Sequence, residues 1–234
     1  MQKQEMIRRI REVAATGKKR LDLRGCRLCN LPPEIGRLTH LVYLDLSLNN
    51  LKRLPEEICQ LTQLTELDLS DNRLADPFPV IHCPRSLTSL DLSGNQLRRL
   101  PPEIGRLTGL THFDLRDNRL SDIPPEIGNL RKITILGLSG NQVTELPPEI
   151  GHLRSLTILD LSFNRLETLP AEFGSLTTLI HLDLSDNRFK ELPEELLNLT
   201  GLCNLDLRGN RLHLRAVGLS QKDMDILGVM AAGE

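Results

Sequence analysis

The residues of this chain that could do chemistry begin with two cysteines three positions apart. Cys26 and Cys29 have the CxxC spacing found in zinc sites and in redox-active dithiols. A tetrahedral zinc site needs two further ligands, and the sequence holds no second CxxC pair to supply them. A thioredoxin-like dithiol needs its own strand–helix context. We therefore predict a structural role for both cysteines, with a metal or redox role as the alternative.

Motifs for phosphate binding and catalysis are incomplete. Gly17-Lys18-Lys19 lacks the earlier glycine and the following Ser or Thr of a phosphate-binding loop. The six histidines are scattered, and no HExxH, nucleophile-elbow or kinase signature is present. Asn198-Leu199-Thr200 fits a glycosylation sequon, which is inert without secretion. We predict a protein that is not an enzyme and that has no cofactor and no bound metal.

Composition and charge argue against several classes of partner. The 234 residues have a net charge of −2 and a pI near 6.3, without the basic excess of nucleic-acid binders. Aromatic residues are only 3%, with no tryptophan, which disfavours a base-stacking surface. No apolar run approaches the roughly 20 residues of a membrane helix, and the polar N-terminus lacks a secretory signal. Because the five cysteines are an odd number, we expect free thiols in a reducing compartment, the cytoplasm.

A unit of 23 residues that recurs nine times must position all these side chains. Position 1 is Leu or Ile, position 4 Leu or Phe, position 6 Leu and position 9 Asn. The first copy is degraded, with Lys18 at position 1 and Cys26 at position 9. Alternation around positions 4 and 6 predicts a short strand with one buried face, and the asparagine is expected to bond turn backbone groups. Position 1 falls at Leu41, Leu64, Leu87, Leu110, Ile133, Leu156, Leu179 and Leu202.

The second half of each unit predicts a short turn on the opposite, convex side. It reads Leu-Pro-x-Glu-Ile-Gly-x-Leu, as in residues 100–107, with apolar positions 14, 18 and 21 directed into the same core. Because no unit can bury its own apolar face, stacking of units makes the core. The third unit departs from the pattern after Leu74, where we expect a convex irregularity and no break in the sheet.

Helical caps are expected at both ends of this stack. Apolar residues recur at helical spacing from Met6 to Ala14, and Gly17 is placed to end that helix. A second apolar stripe, from Met224 to Met230, follows a sequence that resembles a capping box. The predicted organisation is a cap at residues 1–17, nine repeats at 18–215 and a cap at 216–234.

Two charged columns are predicted on the strand side. Adjacent strands lie about 4.8 Å apart, so the aspartates at position 5 should form a ladder on the concave face. Position 10 carries arginine in six units. We interpret both columns as solvated structural stripes, with partner recognition as the alternative. The aspartates are Asp22, Asp45, Asp68, Asp91, Asp114, Asp160, Asp183 and Asp206, and the arginines are Arg27, Arg73, Arg119, Arg165, Arg188 and Arg211.

The aspartate ladder is interrupted in the sixth unit, where position 5 is Gly137. Ile135 and Ile158 occupy position 3 of the sixth and seventh units, and Phe163 and Ile180 are expected to extend this apolar group on the solvent side of the sheet. An exposed apolar cluster usually marks an interaction site. We therefore predict a contact surface here.

A smaller apolar group, Val42, Tyr43 and Leu48, is expected near the N-terminal end. Positions 2, 3, 5, 7 and 8 are expected to be free of structural constraint, so departures from pattern at these positions point to a partner. The predicted contact residues are Tyr43, Glu66, His112, Arg116, Ile135, Ile158, Phe163, Ile180 and His181.

The pattern LxxLxLxx(N/C)xL followed by LPxEIGxL resembles the cytosolic leucine-rich repeats of the Ras-suppressor, scribble and plant intracellular Ras-group type. The stretch from Arg8 through Gly17 to Leu23 is also similar to the start of the repeat domains of bacterial Roco proteins. The resemblance implies an α/β solenoid, a leucine-rich repeat horseshoe with a parallel concave sheet and short convex turns. It also implies a protein-binding scaffold in GTPase-linked signalling.

We predict a monomeric, cytoplasmic scaffold that binds another protein on its concave face, such as a small GTPase or another signalling protein. Nucleic acid is not an expected partner, and no membrane span is expected. Two alternatives stay open. The chain is the substrate-recognition part of an enzyme such as a bacterial ubiquitin ligase, or it is a designed or excised repeat fragment without a native role.

Overall fold

A computed structural model describes residues 3–76 and 86–212 of the chain. Helix α1 spans Lys3–Thr16, and nine three-residue strands follow it. The strands are β1 (Arg20–Asp22), β2 (Tyr43–Asp45), β3 (Glu66–Asp68), β4 (Ser89–Asp91), β5 (His112–Asp114), β6 (Ile135–Gly137), β7 (Ile158–Asp160), β8 (His181–Asp183) and β9 (Asn204–Asp206). Between strands the described residues form 3₁₀ helices at Pro33–Arg37, Glu56–Gln60, Pro102–Arg106, Pro125–Asn129, Pro148–His152, Ala171–Ser175 and Glu194–Asn198.

The nine strands form one parallel sheet in chain order. Each strand pairs with the next at an offset of 23 residues, as Leu136 does with Leu159. Strands β3 and β4 keep this register across the irregular third repeat, so the predicted continuity of the sheet is confirmed. The fold is the predicted α/β solenoid, with the sheet on the concave side and the 3₁₀ helices on the convex side.

The core runs through the whole stack, because each repeat directs the same apolar positions inward. In the fourth repeat Leu90, Leu92, Leu97, Leu100, Ile104 and Leu107 are all buried. On the convex side, Pro101 stays extended and accepts the N–H of Ile104 at 3.0 Å, and Leu107 then donates to Ile104 at 3.1 Å. The proline therefore starts a single 3₁₀ turn that brings the next leucine back to the core.

The asparagine at position 9 joins each repeat to the one before it. The side-chain nitrogen of Asn118 donates to the carbonyls of Leu92 at 2.9 Å, Leu115 at 3.0 Å and Arg116 at 3.1 Å. Its Oδ1 accepts the backbone N–H of Leu97 at 3.0 Å. This buried side chain thus satisfies backbone groups of two repeats at once, as the sequence predicts.

At the N-terminal end, α1 closes the stack with Met6, Ile10 and Val13 buried in the core. The helix ends before Gly17, which has a φ of +64°. Cys26 occupies position 9 of the first repeat, where no earlier repeat exists for an asparagine to bridge. The predicted C-terminal cap at 216–234 and most of the third-repeat irregularity, at 77–85, lie outside the described residues. Within those residues, no helix is both long and apolar enough to cross a membrane.

Candidate protein-binding face

The solvent side of β1–β9, together with positions 2, 7 and 8 beside the strands, is called here the sheet face. Position 2 carries a row of threonines in the third to seventh repeats. Each hydroxyl donates to the position 2 carbonyl of the preceding repeat, at 3.0–3.2 Å. The row is Thr65, Thr88, Thr111, Thr134 and Thr157. It ends at Ile180, whose exposed side chain has no donor, so the eighth repeat lacks this bond to its neighbour.

In five repeats a serine at position 7 holds the aspartate at position 5. Oδ1 of Asp91 accepts the N–H of Ser93 at 2.8 Å and its hydroxyl at 2.6 Å. Asp45, Asp68, Asp160 and Asp183 are held in the same way by Ser47, Ser70, Ser162 and Ser185. Because Oδ1 is occupied, Oδ2 is the oxygen left for a partner in these repeats except at Asp45, whose Oδ2 accepts the hydroxyl of Tyr43.

Burial and crowding act on the Asp91 carboxyl. Partial burial raises the pKa of Asp91 above its ordinary value, and the bonds from Ser93 oppose that shift. The neighbouring carboxylates of Asp114 and Asp68 add to the rise. Burial and the neighbouring carboxylates therefore both disfavour the charged form of Asp91 in the aspartate ladder.

Arginine replaces the position 7 serine in the first, fifth and ninth repeats, and in the last two its side chain binds the aspartate at position 5. Nε of Arg116 donates to both carboxylate oxygens of Asp114, at 2.9 and 2.8 Å, and Nε of Arg208 donates to both oxygens of Asp206 at 3.0 Å. The bond to Asp114 raises the pKa of Arg116, and the bond from Arg208 lowers the pKa of Asp206. These two aspartates are already neutralised within the chain.

Position 8 takes the left-handed backbone conformation in all nine repeats, with φ between +52° and +72°. Four of these residues are glycines and three are aspartates, which tolerate this conformation best. The aspartates Asp71, Asp117 and Asp186 each precede a repeat with glycine at position 8, Gly94, Gly140 and Gly209. A Cβ on Gly94 would stand 2.5 Å from Oδ1 of Asp71. These glycines are therefore required by the close approach of the aspartate in the preceding repeat as well as by the positive φ.

Leu48 and Phe163 are the two position 8 residues that fit neither type. Both hold a positive φ, +54° and +52°, which costs a bulky residue roughly 1–2 kcal/mol. Both are exposed, Leu48 by 46% and Phe163 by 62%. The sequence pattern singled out these residues as apolar, but their unfavourable backbone is visible only in the structure.

Position 3 begins each strand and is the least constrained row of the sheet face. His112, Ile135, Ile158 and His181 follow one another across β5 to β8 in direct register. Nδ1 of His112 lies 2.9 Å from Oγ1 of Thr111, and Nδ1 of His181 lies 2.7 Å from the side-chain nitrogen of Asn204. Two adjacent isoleucines are thus flanked by one exposed histidine on each side.

Tyr43 and Glu66, two further predicted contact residues, begin β2 and β3. The guanidinium carbon of Arg20 lies 3.9 Å from the centroid of the Tyr43 ring, a cation–π arrangement. The Tyr43 hydroxyl donates to Oδ2 of Asp45 at 3.4 Å, and Asp45 is buried beneath it. Burial, and then the charge of Asp45, raises the pKa of Tyr43. Glu66 is exposed on the neighbouring strand.

The gap in the aspartate ladder at Gly137 makes room for Arg116. A Cβ on Gly137 would stand 2.9 Å from Oδ1 of Asp114 and 3.1 Å from Cγ of Arg116. The arginine of the fifth repeat therefore occupies the space that an aspartate of the sixth would fill. A shallow depression of about 330 Å³ remains there, lined in part by Asp91, Ile135, Ile158 and Asp160.

The predicted apolar group is only partly brought together. Ile135 and Ile158 are adjacent in register, and Ile180 directly precedes the strand next to Ile158. Phe163 is not part of this group, because it lies three residues beyond the end of β7. At about 3.3 Å per residue, the five residues from Ile158 to Phe163 reach at most roughly 16–17 Å along the strand direction. Phe163 instead lines a separate depression of about 420 Å³ with Asp186 and Gly209.

The expectation that positions 2, 3, 5, 7 and 8 are free of structural constraint needs correction. Position 2 bonds the previous repeat, positions 5 and 7 bond each other, and position 8 requires a left-handed backbone. Only position 3 is unconstrained in this way. Departures such as Ile180, Gly137 and Phe163 therefore replace residues that have a structural role, which makes them more informative than free variation.

The cysteines and other potential metal ligands are dispersed over the part of the chain that the structure describes. Across residues 3–76 and 86–212, no cluster of three or more His, Cys, Asp or Glu side chains could hold a metal ion. Cys29 and Cys203 are exposed free thiols. Cys29 lines an open depression of about 820 Å³ with Arg27, Met6 and Arg53, near the N-terminal cap.

Comparison with solved structures supports the fold. A leucine-rich repeat protein of Leptospira interrogans is 36% identical over 90% of this chain, with a TM-score of 0.83, and this chain spans 53% of its length. Two internalins of Listeria monocytogenes share the fold at lower identity. Internalin C2 (inlC2) is 22% identical, with a TM-score of 0.75, covering 86% of this chain and 92% of its own. Another internalin (inlF) is 20% identical, with a TM-score of 0.61, covering 94% and 84%.

Comparison with protein families gives the same answer. No curated protein sequence matches the chain. The profile described as "Leucine rich repeat" matches residues 19–74 and 85–143, and the profile "Leucine-rich repeat region" matches residues 127–213. Together with the nine stacked strands and their bridging asparagines, these matches show that the chain belongs to the leucine-rich repeat family.

Proposed function

We propose that this chain is a non-catalytic protein-interaction module that binds its partner on the sheet face. One observation carries the proposal. Of the large apolar side chains exposed in the described residues, four of five lie on the sheet face or its edge: Leu48, Ile158, Phe163 and Ile180. The fifth, Leu197, lies in a convex 3₁₀ helix. Exposed apolar residues gathered on one side of a protein mark an interaction surface.

The size of the sheet face suits such a role. Eight inter-strand steps of about 4.8 Å make it roughly 38 Å long. A standard protein interface buries about 800 Å² on each partner, which a face of this length accommodates. Contacts at Ile158 and at Phe163, on opposite sides of the aspartate ladder, would then belong to one partner that spans the strands.

The test compares apolar-to-charged substitutions on the two sides of the solenoid. A partner captured by the wild-type chain from its source cell is measured against Ile158→Asp with Phe163→Asp, and against Leu197→Asp as the matched convex control. We expect the sheet-face pair to weaken binding at least about a hundredfold, and Leu197→Asp to leave it unchanged. Thermal unfolding establishes that both variants fold. Equal binding by folded sheet-face and wild-type proteins would overturn the proposal.

The identity of the partner and the compartment are finer proposals. We propose a cytoplasmic signalling protein such as a small GTPase, because the LPxEIGxL unit resembles the cytosolic repeats of the Ras-suppressor and scribble type. We also propose that the chain acts as a monomer. Fractionation of the source cell tests the compartment, and mass spectrometry of the captured partner tests its class.

A further inference from the structure

The sheet face is strongly acidic where the apolar residues are exposed. In the third to eighth repeats, positions 2, 3, 5, 7 and 8 of the sheet face carry nine carboxylates and one guanidinium, that of Arg116. The carboxylates are Asp68, Asp91, Asp114, Asp160 and Asp183 at position 5, Glu66 at position 3, and Asp71, Asp117 and Asp186 at position 8. The arginines at position 10 follow the buried asparagines, and Arg165 and Arg188 line the depression that holds Phe163 and Asp186. The unbalanced acidity therefore lies along positions 3 and 5. A partner that covers this face must bring positive charge.

A neutral region at the fifth and sixth repeats divides the row of aspartates at position 5 into two acidic groups. Arg116 pairs with Asp114 and lies over Gly137, so the fifth and sixth repeats present no uncompensated carboxylate at position 5. Ile135 and Ile158 lie beside this neutral region and line the same depression of about 330 Å³. Asp91 borders the depression on one side and Asp160 on the other. Along the sheet the surface therefore reads acidic, apolar, acidic.

From this layout we propose that the partner contributes a cationic segment with one apolar side chain. That side chain enters the depression lined by Ile135 and Ile158, and basic residues on either side of it contact the two acidic groups that contain Asp91 and Asp160. The proposal rests on the proposed function and names the chemistry of its partner. The serines make the acidic groups ready for this contact. Ser93 holds Oδ1 of Asp91 and Ser162 holds Oδ1 of Asp160, at 2.6 and 2.7 Å, so the carboxylates are oriented before binding.

The spacing of the acidic groups sets the length of the segment. Asp91 and Asp160 stand three strands apart, which at about 4.8 Å per strand is roughly 14 Å. An extended chain covers that distance in about four residues. The basic residues nearest the apolar side chain are thus about four positions apart in the partner. Burial, and to a lesser extent the like charges of Asp114 and Asp68, raises the pKa of Asp91, and a cation placed there relieves that repulsion.

The experiment uses the full chain and defined peptides as probes. One labelled peptide has two lysines, a glycine, a leucine, a glycine and two lysines. Its controls replace the leucine by serine, or all lysines by glutamates. Binding is followed by fluorescence anisotropy at about 50 and about 500 mM salt. We expect the lysine–leucine peptide to bind about tenfold more tightly than the serine control, to lose affinity at high salt, and the glutamate peptide not to bind.

Variants of the chain locate the contact. Asp91→Asn with Asp160→Asn keeps the bonds from serine but removes two charges, and should weaken the lysine–leucine peptide about tenfold. Asp206→Asn is the matched control, because Asp206 is already paired with Arg208, and should have no effect. Ile158→Ser should abolish the preference for leucine over serine and leave the salt dependence unchanged.

Three results would overturn this inference: binding of the glutamate peptide, equal binding of the leucine and serine peptides, or no effect of the paired Asp91 and Asp160 substitutions. Its failure is distinguishable from failure of the proposed function. If Ile158→Asp with Phe163→Asp abolishes partner capture while the peptides do not discriminate, the sheet face still binds a protein and only the cationic segment is wrong.

Discussion

Replacing Asn118 by alanine should lower the free energy of unfolding by about 3 kcal/mol. The backbone N–H of Leu97 loses the Asn118 Oδ1 that accepts it, and an orphaned buried N–H costs about 1–3 kcal/mol. The carbonyls lose less, because each keeps another donor. Leu92 still accepts from Asn95 at 3.1 Å, and Leu115 from Asn141 at 3.0 Å. The carbonyl of Arg116 also keeps another donor. Loss of the bond from Asn118 therefore costs only about 0.5 kcal/mol at each of the three carbonyls.

Urea unfolding followed by circular dichroism measures the loss, with the slope of the transition reporting whether the stack still unfolds as one unit. Asn118→Asp is the companion variant. It keeps an acceptor for Leu97 but places a carboxylate oxygen against three carbonyls, so at pH 7 it should be less stable than the alanine variant. Burial raises the pKa of such a carboxyl in the folded state, so its deficit should shrink as the pH falls. A loss below about 1 kcal/mol for alanine would refute the accounting.

Three further substitutions test the sheet face. Gly140→Ala should lower the free energy of unfolding by about 2 kcal/mol. The φ of Gly140 is +66°, and a Cβ there would crowd Oδ1 of Asp117 and stand 3.2 Å from the backbone nitrogen of Asp117. Urea unfolding measures the loss, and an unchanged midpoint would contradict it. Burial raises the pKa of Asp91, so wild-type stability from this group is greatest below its ordinary pKa and is lost as the pH rises through the raised value. Asp91→Asn should therefore exceed wild-type stability at pH 7, by less than about 1 kcal/mol because the group is partly exposed, and match it near pH 3. The pKa of Asp206 is lowered by Arg208, so Asp206→Asn should show the opposite sign at pH 7, and equal melting temperatures for both variants would contradict the assignment.

Much of the fold could be predicted from the sequence because its period is strict. Once Leu44, Leu67 and their equivalents share a phase, each strand and its register follow, since a slip would expose the leucines of that repeat. The role of the position 9 asparagine could also be predicted, because a buried amide must bond the backbone around it. Both inferences need only one repeat and its copies.

The sheet face was harder to predict, because its constraints join unlike residues of neighbouring repeats. Gly137 is visible in the sequence as a missing aspartate, but that Arg116 fills its place requires the geometry of two strands. Phe163 and Ile158 are close in sequence, yet Phe163 follows β7 and Ile158 begins it. Phe163 itself lies in the left-handed turn at position 8, beyond the end of β7, and the sequence pattern of a single unit does not show this change of backbone direction.

That turn is where the structure argues most directly for a partner. Phe163 is 62% exposed, so its ring buries roughly 75 Å² of the 150–250 Å² that an aromatic side chain can bury, worth about 2 kcal/mol. Its left-handed backbone costs roughly 1–2 kcal/mol, which nearly cancels that gain. The ring therefore adds little net stability to the chain alone. A partner that covers the remaining surface would gain about 3 kcal/mol from it. The proposed binding, more than folding, would therefore account for a phenylalanine where seven of nine repeats place glycine or aspartate.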